Sequence, residues 1–290
     1  IIERERITSW APVGGLGMRV IEHPRFSDYD TSSIRMISFG GGPTSPASRS
    51  KIQRAFPSIG NNMANGYGSS ETVAAVSSNS GAEYDAMPES AGRVNPTCEV
   101  QIWDERDRPV PDGIEGEVHV RSAYNMLGYW NDRAATAKTL KPNGWLATGD
   151  IGRLEEGPSG PSERGARMLT INSRARDMII RGGENIYPIE VERRLDAHPR
   201  IAESAVVGVD HPVLGQVVKA IVVVTAGAGI DTADIDTGDL ARWVGAMLAP
   251  YKVPTEWECR AEPLPRNASG KVLKTVLVGE AVAPPDDHVA

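Results

Sequence analysis

The sequence predicts an α/β fold followed by an α+β unit, and three stretches carry that reading. Residues 34–39 (Ile-Arg-Met-Ile-Ser-Phe) read as a short strand running into Gly40-Gly41-Gly42-Pro43, and Ser45 to Phe56 then reads as a helix that Pro57 stops. Strand, glycine turn and helix in that order are the mark of α/β structure. Cys98 to Asp104 and Glu115 to Arg121 alternate apolar with polar residues around an Asp112-Gly113 turn, which predicts antiparallel sheet. A new unit begins near Arg174. It has a helix over Ile189 to Leu195, two almost wholly apolar strands at Ala205 to Val209 and Val217 to Thr225, a helix over Asp239 to Leu248 and another over Gly270 to Val278. The apolar strands are expected to be buried, and the tail after Ala283 is expected to be unstructured.

Bulk properties exclude several classes. The apolar fraction of 40% and charged fraction of 24% are those of a soluble globular protein. The net charge of −7 argues against a nucleic-acid partner, although one phosphate needs only a local site. Cys98 and Cys259 form no CxxC pair and the five histidines are scattered, so neither a disulfide framework nor a zinc site is predicted. No apolar run approaches a membrane span and no signal peptide is seen, so a cytoplasmic protein is the expectation. The chain opens on Ile1-Ile2-Glu3-Arg4, which reads like the middle of a helix and suggests a cut chain.

Five short segments could carry chemistry. Gly40 to Pro43 lets backbone approach a ligand closely, or is an ordinary tight turn. In Asn65-Gly66-Tyr67-Gly68-Ser69-Ser70-Glu71, a ring between glycines can lie against a base, and a hydroxyl and a carboxylate can reach phosphate and Mg²⁺; the plain alternative is a polar loop anchored by a tyrosine. In Thr148-Gly149-Asp150, a carboxylate after a glycine turn can accept from both hydroxyls of a ribose, or simply cap the chain. Arg174 to Pro188 reads as charged residues, a strand, the pair Gly182-Gly183 and a helix start, which is also how a linker and turn would read. Pro265 to Lys271 ends in Gly270-Lys271 and presents an ammonium as a point charge, or a solvated surface lysine. It is not a Walker A loop, because Pro265 and Val272 stand where that motif needs glycine and a hydroxyl.

In this order the segments, joined by Gly116-Glu117 to Val120-Arg121 and by Gly128-Tyr129-Trp130, resemble the adenylate-forming superfamily over about residues 1 to 280. That superfamily includes acyl-CoA synthetases, firefly luciferase and peptide-synthetase adenylation domains. Gly182 to Glu192 is similar to the acyl-CoA synthetase form rather than to the Arg- and Leu-containing form of peptide synthetases. The resemblance implies that residues 1–173 are the C-terminal part of a large AMP-binding domain, with an α/β part at 1–80 and an antiparallel, barrel-like part at 81–173. A hinge at 174–177 and a small mobile α+β domain at 178–283 follow, then a tail at 284–290. The superfamily's Ser/Thr/Gly-rich phosphate loop is absent, so these 290 residues alone are expected to adenylate poorly.

The implied reaction joins a carboxylic acid, a fatty acid by preference, to coenzyme A at the expense of ATP. The carboxylate attacks the α-phosphate and expels pyrophosphate; the thiol then attacks the acyl-adenylate carbonyl and expels AMP. By resemblance, Gly41, Gly42, Tyr67 and Gly68 line the adenine, Ser70 touches phosphate, Glu71 holds Mg²⁺, and Asp150 binds the ribose with Arg174 beside it. Lys271 bridges carboxylate and phosphate in the first step. The pivot is Arg176, where Asp or Lys is usual, and after the swing Gly182 and Gly183 help to form the coenzyme A tunnel. Asn172-Ser173 also departs from the usual pattern, and residues 157–167 read as a surface insertion. The acid's pocket is expected near Trp10 to Gly17, Gly40 to Pro43 and Gly66 to Val73. The partners implied are the acid, ATP and coenzyme A, and a homodimer is compatible with them. Two alternatives stay open: a non-catalytic nucleotide- or coenzyme-binding relative, and an adenylating enzyme that loads a carrier protein.

Overall fold

The computed structural model describes residues 1–12, 16–40, 46–73, 75–157, 167–224, 235–267 and 270–279. The chain divides into two compact units, Ile1–Arg176 and Asp177–Ala290.

The first unit is built on one nine-stranded sheet. In chain order its elements are α1 (Ile2–Glu5), β1 (Ser9–Trp10), α2 (Leu16–Ile21), β2 (Met36–Phe39), α3 (Pro46–Ala55), β3 (Met63–Gly68), β4 (Ala75–Ser80), α4 (Gly81–Ala86), β5 (Gly92–Val94), β6 (Cys98–Trp103), β7 (Gly116–Ser122), α5 (Arg133–Thr139), β8 (Leu146–Glu156) and β9 (Arg167–Arg174). The strands lie in the order β1-β2-β3-β4-β5-β9-β8-β7-β6. β1, β2 and β3 run parallel, and every pairing beyond β3 is antiparallel. The α/β part and the antiparallel part therefore share a sheet and meet at β3 and β4. Helix packing explains the parallel end: Ile52 and Phe56 lie with Ile34, Ile37, Phe39 and Met63 in one fully buried cluster. At the antiparallel end Val100, Ile102, Val118, Val120, Leu154 and Leu169 form a second. These are the inward positions of the alternating strands, which is why 98–103 and 116–122 are legible as sheet.

The second unit holds β10 (Ile179–Arg181), β11 (Glu184–Ile186), α6 (Pro188–Asp196), β12 (Ile201–His211), β13 (Gly215–Val224), α7 (Thr237–Gly245), β14 (Glu256–Arg260) and α8 (Lys274–Leu277). Its strands run β11-β10-β13-β12, with β14 parallel to β13. The apolar stretches 205–207 of β12 and 220–224 of β13 arise because both faces of the sheet are covered there. Val206, Val218, Ala220, Val222 and Val224 pack with Val191 and Leu195 of α6 and Leu240 and Val244 of α7. Ala205, Val207, Ile221 and Val223 pack with Leu264, Val272 and Leu277.

Three sequence expectations are revised. The strand, glycine pair and helix at 179–188 contain a further strand, β11. Gly182 and Gly183 (φ 60° and 91°) are the two residues of a tight β10–β11 hairpin turn, a conformation side chains resist. The last helix covers only Lys274–Leu277, because Leu273 N–H donates to Pro265 O at 2.8 Å and Arg266 bridges to Val272, closing a loop first. α7 starts earlier and stops earlier than expected, with the Asp236 carboxylate accepting from Gly238 N–H at 2.8 Å as its cap. The expected tail at 284–290 and most of the 157–167 insertion lie outside the described residues.

Candidate active site

The Thr148-Gly149-Asp150 segment is not a turn between strands but a bulge inside β8. Glu117 pairs with Ile151 and His119 with Ala147, so Thr148, Gly149 and Asp150 stand opposite Val118 alone. Gly149 takes φ 71° and donates its N–H to Glu117 at 2.9 Å. The Thr148 hydroxyl donates to Val118 O at 2.8 Å, and its oxygen accepts from Asp150 N–H at 3.1 Å. A bulge re-aims the side chain that follows it. Here it delivers the buried Asp150 carboxylate to one partner on the adjacent strand β9 and one on the more distant β3.

One partner is Tyr67 near the end of β3, whose hydroxyl donates to Asp150 Oδ2 at 2.6 Å. The other is Arg174, the last residue of β9 and the register partner of Asp150, whose Nε lies 3.4 Å from Oδ1. Burial, reinforced by the Asp150 charge, pushes the Tyr67 phenol well above its usual pKa, so it stays a donor at neutral pH.

Past β3, whose pairing with β4 is irregular at Tyr67 and Gly68, the chain enters a turn that Thr72 closes. The buried Thr72 hydroxyl accepts from Ser69 N–H at 3.0 Å and donates to Ser69 O at 3.1 Å. This leaves Ser70 exposed and holds Glu71 beside it. Val73 follows at φ 58°, a strained conformation for a β-branched residue and one that clusters at functional sites. Glu71 O accepts from Met126 N–H at 2.7 Å, and its carboxylate accepts from the Tyr129 hydroxyl at 2.9 Å. Burial alone would raise the Glu71 pKa. Hydrogen bonds from its own backbone, Tyr129 and Ser69, with the Arg174 charge, outweigh that and hold it below the usual carboxylate value. The Arg174 guanidinium thus acts on both carboxylates.

The structure therefore brings together Tyr67, Asp150, Arg174 and Glu71, with Gly68 and Ser70 on the same short segment. Gly41 and Gly42 lie outside the described residues. Arg176 lies in a short 3₁₀ turn, Ala175–Asp177. Gly182, Gly183 and Lys271 belong to the second unit, the glycines in the exposed hairpin turn and Lys271 in the loop before α8. Tyr129 was missed as a site residue. Its Gly128-Tyr129-Trp130 segment stands out in the sequence, but nothing local to it signals a bond to a carboxylate 58 residues away.

The Asp150 carboxylate suits a nucleotide, since a carboxylate can accept from paired hydroxyls. Glu71, kept ionised, is a hard oxygen ligand of the kind Mg²⁺ takes singly, the ion keeping water and substrate phosphates as its other ligands. Among the described residues no cluster of three or more His, Cys, Asp or Glu side chains is placed to hold a metal ion.

Residues 1–130 match the family model of the AMP-binding enzyme, and residues 190–271 match that of the AMP-binding enzyme C-terminal domain. The chain belongs to the AMP-binding enzyme family. It is 35% identical over 274 residues to a feruloyl-CoA synthase of Amycolatopsis sp, covering 94% of this chain and 52% of that relative. It is 34% identical over 281 residues to a long-chain-fatty-acid–CoA ligase of Bacillus subtilis (strain 168), covering 97% and 47%. The structure of an amide bond synthetase from Marinactinospora thermotolerans superposes with a TM-score of 0.81 at 32% identity, over 96% of this chain and 53% of that one. The chain thus spans about half the length of the relatives it matches.

Proposed function

We propose that the chain works as part of an ATP-dependent acid–thiol ligase that makes an acyl-CoA through an acyl-adenylate, with a fatty acid as the acid. The observation that carries the reading is the Asp150 cluster: Tyr67, Arg174 and Glu71 converge around one buried carboxylate at the bulge in β8. The naming of two relatives as CoA ligases supports the thiol acceptor, and the Bacillus subtilis relative supports the fatty acid.

In this reading Asp150 accepts hydrogen bonds from the ribose, and Tyr67 and Arg174 keep its carboxylate in place. Gly41, Gly42 and Gly68 border the adenine, and Ser70 touches phosphate. Glu71 would hold Mg²⁺, which supplies charge neutralisation on the phosphates; Tyr129 orients that carboxylate. The acid's carboxylate oxygen attacks the α-phosphorus as the bond to the pyrophosphate oxygen breaks. Lys271 stabilises the charge that develops there. The thiolate of coenzyme A then attacks the acyl carbonyl and AMP leaves. Rotation about Arg176 exchanges Lys271 for the Gly182-Gly183 hairpin between the steps. We place the enzyme in the cytoplasm, and a homodimer is compatible with the reading.

The test is formation of AMP and acyl-CoA by the intact protein from ATP, coenzyme A and a panel of fatty and aryl acids. Acyl-CoA from a fatty acid with kcat/KM at least tenfold above that for ferulate is expected. Preference for aryl acids overturns the fatty-acid choice. The amide bond synthetase likeness makes an amine the competing acceptor, so an amide product with no thioester overturns the acceptor. No AMP with any acid favours a non-catalytic relative.

A further inference from the structure

We infer that Glu203 and Glu192 are positioning residues for Lys271, clamping the two arms of its loop through Arg266 and Lys274; this rests on the adenylation role given to Lys271 above. The loop leaves the core at Leu264 and returns at Val272, both packed on the Ala205, Val207, Ile221 and Val223 face. Between them it is held by polar contacts. Asn267 N–H donates to Lys271 O at 2.9 Å, and Lys271 N–H donates to Asn267 Oδ1 at 2.9 Å, so one asparagine fixes both backbone groups of the lysine. Gly270 N–H donates to Asn267 O at 2.9 Å.

Arg266 ties this turn to the sheet. One guanidinium nitrogen donates to Gly270 O at 2.8 Å, immediately before Lys271, and another pairs with the Glu203 carboxylate on β12. The second Glu203 oxygen accepts from Leu264 N–H at 2.8 Å. On the returning arm Lys274 Nζ lies 2.6 Å from Glu192 Oε1 of α6 and donates to Val206 O at 3.0 Å. The same Glu192 oxygen accepts from Val206 N–H at 2.8 Å.

Neither pair is an ordinary surface salt bridge. The side chains of Arg266 and Glu203 are 31% and 23% exposed, and those of Lys274 and Glu192 23% and 14%. Exposed pairs contribute little, whereas partly buried ones bonded also to backbone hold a geometry. The apolar anchors Val272 and Leu277 would dock the segment without them. What the ionic clamp adds is a fixed direction for the Gly270-Lys271 backbone, and a charge meant for a transition state needs its direction fixed beforehand.

Glu203→Gln and Glu192→Gln keep one oxygen acceptor for the backbone N–H and replace the charged carboxylate that pairs with the cation by an amide. In the intact protein the double variant is expected to lower kcat for acyl-adenylate formation about tenfold, with KM for ATP within about twofold, the size a displacement under 1 Å can cause. Thioester formation from supplied acyl-adenylate should be unchanged, and Arg266→Lys should retain most of the adenylation rate. Amide hydrogen exchange at Gly270, Lys271 and Leu273 should quicken about tenfold at an unchanged Tm. Unchanged adenylation, or equal loss of both half-reactions with a lowered Tm, overturns the inference. A wild-type protein that forms no adenylate removes the role of Lys271 and the catalytic part of the inference with it, while the exchange rates separately decide whether the clamp exists.

Discussion

The two units hold the charges proposed to act in the reaction in opposite ways. In the first, Asp150, Tyr67 and Arg174 stand on three strands of one wide sheet, Asp150 and Arg174 as register partners and Tyr67 reaching Asp150 from β3. The polar groups satisfy one another around a buried carboxylate. In the second, Lys271 sits in a loop whose backbone is pinned by Asn267 and whose arms are tied down by ion pairs. A register-built site is hard to move without breaking the sheet, so it suits a ligand group present throughout a reaction. A loop held by a few polar contacts can be displaced as a whole, so it suits a charge needed for one step.

The sharpest way to break that contrast is Lys271→Ala. It is expected to lower acyl-adenylate formation by about 10²- to 10³-fold, the loss typical of removing one preorganised charge stabiliser. Thioester formation from supplied acyl-adenylate should survive, and single-turnover assays of each half-reaction check this. Asp150→Ala removes the hub of the other site. It is expected to weaken AMP binding about 10- to 100-fold by calorimetry, since hydrogen bonds to a charged group contribute roughly 1.5–3 kcal/mol. Asp150→Asn keeps an acceptor for the Tyr67 hydroxyl and should lose less.

Tyr129→Phe should be milder. Removing one hydrogen bond to Glu71 costs about 1 kcal/mol, so the Mg²⁺ concentration for half-maximal adenylation should rise about fivefold, with kcat at saturating Mg²⁺ little changed.

The last effect is on stability alone and concerns Asp196, beside the clamp. Burial first, and the Glu192 and Glu203 charges next, against a hydrogen bond from Ser204, raise its pKa to about 7. The folded state therefore binds a proton more tightly than the unfolded chain. Asp196 contributes stability in full below about pH 4, and that contribution is lost as pH rises through about 7. Asp196→Asn should be neutral near pH 4 and stabilise increasingly as pH rises, by on the order of a few kcal/mol at pH 8. Urea unfolding at the two pH values measures it, and equal stability changes at both would rule out the buried-proton account.

How much of this was legible in the sequence follows the same contrast. The alternation in 98–103 and 116–122, the doubly covered strands β12 and β13 and the start of α6 at Pro188 are local patterns, and the structure shows the elements where they predict them. Thr148-Gly149-Asp150 looked like a turn because a glycine at positive φ marks turns and bulges alike. Only the pairing of β7 with β8 tells them apart. β11 is three residues long, too short to show a period. The residue types of the Asp150 site were visible, but its wiring was not. Tyr67 meets Asp150 across 83 residues and Tyr129 meets Glu71 across 58, distances that register and loop packing decide.

The most direct test of the account is to run both half-reactions on Asp150→Ala and Lys271→Ala side by side in the intact protein. The account predicts that Asp150→Ala slows acyl-adenylate formation and thioester formation alike at limiting nucleotide, because the nucleotide is held through both steps, while Lys271→Ala slows only the first. Equal loss of both half-reactions in the Lys271 variant, or unimpaired nucleotide use in the Asp150 variant, would contradict it.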